Sequence, residues 1–413
     1  MIPPFLREGG DFRPFWAAQG ISLVGDQVAL IALPLVAILA LDAGAAQMGY
    51  LTAAALVPNL LFSLHLGAWI DRRGRRRQAM VAADLGRAAL VVSIPLAYAL
   101  DALTIEQLYA VAFASGTLSV LFYVSYSTLF VSIVPRERYV EANQLLHGSR
   151  ALANVGGPSL GGGLVQVLSA PAALVADALS FLASAFFLAR IDPVEPPTEE
   201  RATGHLAAGV RFIWTTAILR ASLLALATIN FFNFVFFALF VLYATRELDV
   251  RPGTLGLVLG AGAVGGVLGS VAVGRIVRRM GIGPALVLGC VVFPAPLVLV
   301  PLAAGPHPVV LAMLLAAEFG SGFGVMVLDV TAGSLQQAIV PDRLRARFAG
   351  AHMVVNYGVR PLGALAGGWL GSTIGVQETL WIATLGALAG VLFLLPSPLP
   401  RLRDLPREPA WEN

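Results

Sequence analysis

The chain contains no lysine: all 27 of its basic residues are arginine, spread over 413 positions. Charged residues of both signs reach only 12%, about half the usual share of a soluble domain, roughly 25%. One cysteine, Cys290, lies within Leu288-Gly289-Cys290-Val291, which excludes intrachain disulfides and cysteine metal sites and reads as a small core residue. His65, His147 and His352 share no metal-ligand spacing, so no metal site is expected. Without lysine there is no Gly-x-x-x-x-Gly-Lys phosphate loop, and Gly260-Ala261-Gly262-Ala263-Val264-Gly265-Gly266 follows no strand signal that would make it a dinucleotide loop. No enzyme signature and no cofactor are therefore expected. The net charge of +3, with the arginines held between apolar runs, argues against a nucleic-acid partner.

What is abundant is apolar sequence. Hydrophobic residues make up 57%, more than a water-soluble fold can hide. Runs of about 20 apolar residues, the length an α-helix needs to cross a bilayer, occur twelve times. They lie near 15–41, 47–70, 78–100, 106–131, 143–168, 171–189, 219–245, 254–277, 284–303, 308–333, 348–374 and 378–396. The first run is long enough to span and follows a short polar start, so no cleavable signal peptide is expected. With the N-terminus inside, 22 arginines fall in cytoplasmic segments and two, Arg246 and Arg251, outside. That asymmetry places both termini in the cytoplasm. Polar residues between Arg190 and Arg220 form a linker leading into an amphipathic segment, Val210-Arg211-Phe212-Ile213-Trp214. The expected organisation is a six-helix bundle over 1–189, a cytoplasmic linker over 190–218, a second six-helix bundle over 219–396 and a cytoplasmic tail over 397–413.

A basic loop after the second span, Gly67-Ala68-Trp69-Ile70-Asp71-Arg72-Arg73-Gly74-Arg75-Arg76-Arg77, returns 207 residues later as Gly274-Arg275-Ile276-Val277-Arg278-Arg279-Met280-Gly281. Both glycines keep their spacing, and a repeat at mid-chain distance indicates a duplicated membrane protein of the kind many transporters use. The same offset carries Asp26 of span 1 to Asn233 of span 7, close to Asn230. Two polar groups at matching depth are expected where two bundles enclose a central site. Asp71 is matched by Arg278, so only the first loop keeps its acid.

Ionisable residues within spans are costly and usually functional. Asp26 lies near mid-depth with Gln19 and Ser22 at helical spacing, and Glu318 and Asp329 stand about three turns apart on one face of span 10. Asp26 and Glu318 are the expected proton-coupling carboxylates; Asp329, nearer the cytoplasm, is expected at a gate. Arg150 and Arg360 are candidate counter-charges. Asp84 and Arg87, three apart, read as a structural pair, and Asp177 has no basic neighbour in sequence. Gln19, Ser22, Asp26, Tyr123, Tyr126, Asn230, Asn233, Phe237 and Glu318 are expected to line an apolar cavity with a few polar groups, suited to a bulky amphipathic ligand.

The pattern of Gly67, Asp71, Arg72, Gly74 and Arg75 resembles the loop signature of the major facilitator superfamily, whose members use it as a cytoplasmic latch. Asn154-Val155-Gly156-Gly157-Pro158-Ser159-Leu160-Gly161-Gly162-Gly163 is similar to the span 5 signature of that superfamily's exporters and antiporters. Arg360-Pro361-Leu362-Gly363-Ala364-Leu365-Ala366-Gly367-Gly368 is its counterpart in span 11. Phe15 to Gln27, Ala82 to Ala88 and Val134-Pro135-Arg136-Glu137-Arg138 look like the branch that holds macrolide-efflux and enterobactin-exporter proteins. The resemblance implies an all-α integral membrane fold of twelve transmembrane helices in two pseudo-symmetric six-helix bundles. It also implies a secondary transporter of the bacterial inner membrane, exporting a drug, macrolide or siderophore by alternating access. The expected partners are the small-molecule substrate, protons and the lipid bilayer, with the chain a monomer. Span 4 departs from the pattern, having no arginine where many drug/proton antiporters carry one. Uptake of a nutrient or lipid-like solute, and a non-transporting sensor or scaffold, are the alternatives on the same fold.

Overall fold

The computed structural model describes residues 10–193, 206–341 and 344–405, with the side chains of Asp71 and Arg73 outside the described part. Parts of the expected linker and tail, and Asp342 and Arg343, likewise lie outside the described residues. Helices dominate, and no strand occurs among the described residues. In order they are α1 Phe12–Ala40, α2 Ala45–Arg73, α3 Arg76–Ala99, α4 Ile105–Ile133, α5 Tyr139–Val167 and α6 Ala170–Ala189. A short helix follows, α7 Leu206–Thr215. Then come α8 Ala217–Arg246, α9 Pro252–Met280, α10 Ile282–Val292, α11 His307–Ile339, α12 Arg345–Thr373 and α13 Val376–Ala389. The twelve expected spans are α1 to α6 and α8 to α13, and α7 carries the amphipathic segment.

Ten of the twelve include stretches long and apolar enough to cross a membrane. The other two, α5 and α12, are each 29 residues long. They are the helices diluted by Arg150, Asn154, Arg360 and Asn356 and by glycine. Two helices differ in extent from the apolar runs. α10 stops at Val292 because Pro294 and Pro296 offer no backbone donor, and the span finishes as a 3₁₀ segment, Ala295–Leu299. α11 runs to Ile339 rather than 333, since Ser334, Gln336 and Gln337 continue the helix after its apolar part ends.

The duplication is visible at the level of single hydrogen bonds. After α1, the Ala43 N–H donates to the Ala37 carbonyl at 2.9 Å with Asp42 at φ 52°; after α8, Val250 donates to Ala244 at 2.9 Å with Asp249 at φ 51°. Each bond runs from residue i back to residue i−6 and closes the helix end around a left-handed residue. The basic loops match as well: Gly74 donates to Ile70 at φ 64°, and Gly281 donates to Val277 at φ 93°. Positive φ explains why glycine returns at both places. All of these residues are related by the 207-residue offset.

Contacts divide the chain into two units. The first comprises residues 1–43, 54–201 and 251–257, and the second 44–53, 202–250 and 258–413. In the first, α1 packs on α5 and α6, and α3 packs on α4 and α6. In the second, α8 packs on α12 and α13, and α10 on α11, the same pattern by repeat position. The core of the first unit gathers Phe12, Phe15, Met80, Phe122, Leu129 and Leu188; that of the second gathers Ile229, Leu286, Cys290, Leu335, Phe348 and Leu394.

Candidate functional site

The first unit holds a cluster of charge inside its helices. Arg87 on α3 donates from its guanidinium to Asp84, one turn earlier, and its other terminal nitrogen lies 3.9 Å from Asp26 on α1. The Asp84 side chain is fully buried and that of Asp26 is 47% exposed, so one arginine joins a buried acid to an accessible one. The guanidinium is positioned by two aromatic faces, 4.7 Å from the Phe122 centroid and 4.2 Å from that of Phe181. Such contacts are strongest when desolvated. The expected Asp84–Arg87 pair is thus present and extends to Asp26.

Asp177, whose role sequence left open, belongs to the same cluster. It is buried on α6, and its Oδ1 would lie 2.6 Å from a Cβ on Gly25, the residue before Asp26. Ser180 donates to the Asp177 carbonyl at 2.7 Å and reaches its carboxylate at 3.5 Å. No basic side chain lies within ion-pair distance of Asp177 among the described residues, and Asp84 Oδ2 has no hydrogen-bond partner there. Arg87 therefore pairs with two of the three carboxylates and leaves Asp177 without an ion pair among the described residues. In a low-dielectric interior such a group is stable only if protons or a cation supply the missing charge.

The neighbouring expected residues are arranged in layers. Gln19 and Ser22 are buried rather than open, and Gln19 Nε2 has no hydrogen-bond partner among the described residues. Tyr126 stacks on Phe15 at 5.2 Å within the core, whereas Tyr123 is exposed. Arg150 is exposed and within electrostatic range of Asp26 and Tyr126. α5 is fastened to α1 by polar bonds, Trp16 to Ser149 at 2.9 Å and Gln27 to Asn154 at 2.7 Å.

The glycine motif of α5 makes these close contacts possible. A Cβ on Gly157 would meet Gln27 and one on Gly161 would come 3.0 Å from the Val28 Cα; Gly162 lies against Gly256, with 3.0 Å to its Cα. Pro158 sits inside the helix, and its carbonyl faces Gly256. α12 repeats the arrangement in the second unit: Gly367 lies against Val235 and Gly368 against Gly49, with a Cβ 3.0 and 2.8 Å from their Cα atoms. Small residues let membrane helices approach to backbone contact.

The polar centre of the second unit is neutral. Asn230 on α8 donates to Asn356 of α12 at 2.8 Å, and His352 lies 3.2 Å from Gln336 and 3.5 Å from Asn356. Asn233, the repeat partner of Asp26, makes no hydrogen bond among the described residues. Phe237 is exposed and packs on Phe234 at 5.8 Å. Glu318 lies against α9, where a Cβ on Gly262 would be 3.2 Å from its carboxylate, and no basic side chain is within ion-pair distance among the described residues. Asp329 is exposed and in electrostatic range of Arg360, whose guanidinium lies 4.2 Å from the Tyr357 ring and 5.3 Å from that of Phe234.

In the basic loop Arg72 and Arg75 are exposed, while Arg76 is buried and Arg77 donates to the Ile191 carbonyl at the end of α6. Gly67 has ordinary van der Waals room beside Val124. The side chain of Asp71, the expected latch acid, lies outside the described part.

The profile of the Major Facilitator Superfamily matches residues 15–364. The chain belongs to that superfamily. It is 25% identical over 394 residues to the multidrug efflux pump Tap of Mycolicibacterium fortuitum, covering 92% of this chain and 93% of that one. Tap of Mycobacterium tuberculosis is 25% identical over 404 residues, covering 94% and 93%. Among solved structures, the nucleoside transporter NupG superposes with a TM-score of 0.75 at 11% identity, over 94% of this chain and 99% of that one. A bacterial homologue of the iron transporter ferroportin gives 0.73 at 18% identity, over 94% and 98%. These likenesses show the fold. The protein is a multi-pass membrane transporter, not an enzyme, with the twelve-helix, twofold-repeated architecture of the superfamily.

Proposed function

We propose that this transporter exports a hydrophobic or amphipathic small molecule in exchange for protons, across the bacterial inner membrane and with both termini in the cytoplasm. The observation that carries the reading is the group of Asp26, Asp84 and Asp177 around the single Arg87, which needs bound positive charge to be stable. Asp26 is its accessible member. Protonation of Asp26 releases the 3.9 Å hold of Arg87, which then rests wholly on Asp84; deprotonation restores it. That exchange links proton binding on α1 to the charge on α3 and to α6, on which both helices pack. Glu318, without a basic neighbour, is the second proton carrier, and the mobile counter-charges are Arg150 and Arg360. In the second unit, exposed Phe237 and the Asn230 to Asn233 turn of α8 offer the mix of aromatic and amide groups that an amphipathic ligand requires. Export as the direction is supported by the α5 glycine motif and by the efflux pumps among the relatives; both halves lie in one chain, so a monomer suffices. Asp71, Arg72, Arg75 and Asp329 serve at the cytoplasmic gate.

The test uses inverted vesicles holding the full chain, an imposed pH gradient and ethidium as a fluorescent amphipathic substrate. Asp26→Asn is expected to abolish gradient-driven accumulation while retaining dye binding, with Glu318→Gln reducing it. Full pH-dependent accumulation in both variants overturns the coupling assignment, and proton-driven movement in the opposite direction overturns export.

A further inference from the structure

A cleft of about 890 Å³ opens at the far end of α9 in the second unit, away from the charge cluster and from Glu318. Arg278, Arg279 and Arg403 line it, with Asp404 the one carboxylate on its wall. None of the three guanidinium groups makes an ion pair or hydrogen bond among the described residues. The cleft thus carries two net positive charges without internal compensation. Thr331 and Ser334 of α11 also line it, their hydroxyls donating to carbonyls of that helix. Along its edge Met280, Val330 and Leu405 are exposed apolar side chains.

The cleft is built rather than incidental, because the segment after α13 is fastened into it. Ile282 and Gly283, at the start of α10, donate their N–H groups to the carbonyls of Arg403 at 3.1 Å and Leu402 at 2.9 Å. A Cβ on Gly281, at φ 93°, would stand 2.7 Å from the Arg403 Cα. Residues 402–405 therefore form one wall, and they bring Arg403 to face the arginines that end α9.

We infer that this cleft binds the phosphate headgroup of an acidic phospholipid. The end of a 29-residue apolar helix lies at the boundary between hydrocarbon and water. A phosphate there meets guanidinium donors in the geometry they match best, and the acyl chains follow the apolar edge into the bilayer. Free phosphate shares the headgroup chemistry and has no use for that edge. Basic pockets of this kind at helix ends favour anionic over zwitterionic lipid. The inference is independent of the substrate and direction proposed above.

The full chain in dodecyl maltoside, examined by native mass spectrometry, gives the test. Dioleoyl phosphatidylglycerol, phosphatidylethanolamine and phosphatidylcholine are added in separate arms, with inorganic phosphate in a fourth. Phosphatidylglycerol should bind about thirtyfold more tightly than phosphatidylcholine, the effect of two net charges at a membrane surface. The triple variant Arg278→Gln, Arg279→Gln, Arg403→Gln should reduce it to the phosphatidylcholine level, whereas Arg136→Gln, in the first unit, should leave it unchanged. Gly281→Ala keeps all three arginines but displaces the wall, and it too should weaken binding. Equal retention of phosphatidylethanolamine and phosphatidylglycerol, or undiminished binding in both the triple and the Gly281→Ala variants, overturns the inference. Displacement of the lipid by millimolar inorganic phosphate overturns the assignment to a lipid.

Discussion

Replacing Arg87 by methionine separates what its two carboxylate contacts do. Methionine keeps most of the side-chain volume between Phe122 and Phe181, so the change removes charge rather than packing. Asp84 is fully buried and loses its only ion-pair partner, the situation in which breaking a buried pair costs about 3–5 kcal/mol. The contact with Asp26 is worth far less, since 3.9 Å to a half-exposed carboxylate falls in the range of surface pairs, about 0–1 kcal/mol. For a unit of this size each kcal/mol moves the melting point by roughly 2–4 °C, so Arg87→Met should melt about 6–20 °C below the parent. Neutralising both ends leaves no stranded charge. The double variant Asp84→Asn, Arg87→Met should therefore regain most of that loss, and Asp26→Asn alone should melt within about 3 °C of the parent. The assay is thermal unfolding of the four chains in detergent, read by tryptophan fluorescence. An Arg87→Met chain as stable as the parent, or a double variant no better than the single, would refute the view that Arg87 holds Asp84 in place.

The glycine contacts give a second, steric test in the same assay. Gly162→Ala and Gly368→Ala each put a Cβ into facing backbone and should each cost about 1–3 kcal/mol, while Gly163→Ala, which meets nothing within 4 Å, should be neutral or gain up to about 1 kcal/mol. Equal effects at all three would show that helix contact is not what these glycines provide. Outside the spans, partial burial and then the nearby Glu378 raise the Glu247 carboxyl above the ordinary glutamate value of 4.5. The folded chain then holds this proton more tightly than the unfolded one, so its contribution is present in full below that value and is lost as pH rises through the raised one. Glu247→Gln should flatten the stability–pH curve just above pH 4.5, with little change below it; a steeper curve would reverse the sign.

Most of the frame can be read from sequence because crossing a bilayer demands long helices, and long apolar runs declare them. The helix ends are less legible. α11 extends beyond its apolar run through Ser334 and Gln336, since a helix need not stop where the hydrocarbon does. The site divides in the same way. Asp84 and Arg87 are one turn apart on one helix, so their pairing follows from spacing alone. Arg87 meeting Asp26 depends on which face α1 turns toward α3, and linear spacing does not encode that. Asp177 left a usable sign: Ser180 and Ser184 follow it at helical spacing, making a polar stripe that points inward. Asn356 and His352 left little, because single polar residues on α12 become a network only when α8 and α11 pack beside them. The repeat offset selected Asn233 at the depth of Asp26, yet the hydrogen bond to Asn356 is made by Asn230. Three residues shift a side chain nearly one turn along the helix and about 60° around it. An offset therefore gives depth reliably and leaves the facing group to packing.

The two units therefore share a frame and differ in chemistry. The caps at Asp42 and Asp249 and the left-handed glycines at 74 and 281 keep the same register, so sequence has drifted while backbone geometry has not. Within that register Asp26 faces a guanidinium, whereas the equivalent region of the second unit is closed by amides that carry no charge at any physiological pH. The Asn230–Asn356 bond does not itself change with proton occupancy, and His352, 3.5 Å from Asn356, is the titratable member of that network. The carboxylates around Arg87 do change, because each proton gained or lost alters how one cation is shared. On this frame a pH-driven rearrangement has titratable groups to act on at α1, α3 and α6 in the first unit, and at Glu318 and His352 in the second. The basic loops carry the same asymmetry to the helix ends: Asp71 in the first has Arg278 as its counterpart in the second. Arg278 belongs to the cleft that residues 402–405 complete, so the position that is an acid in one half has become part of the proposed anion site in the other.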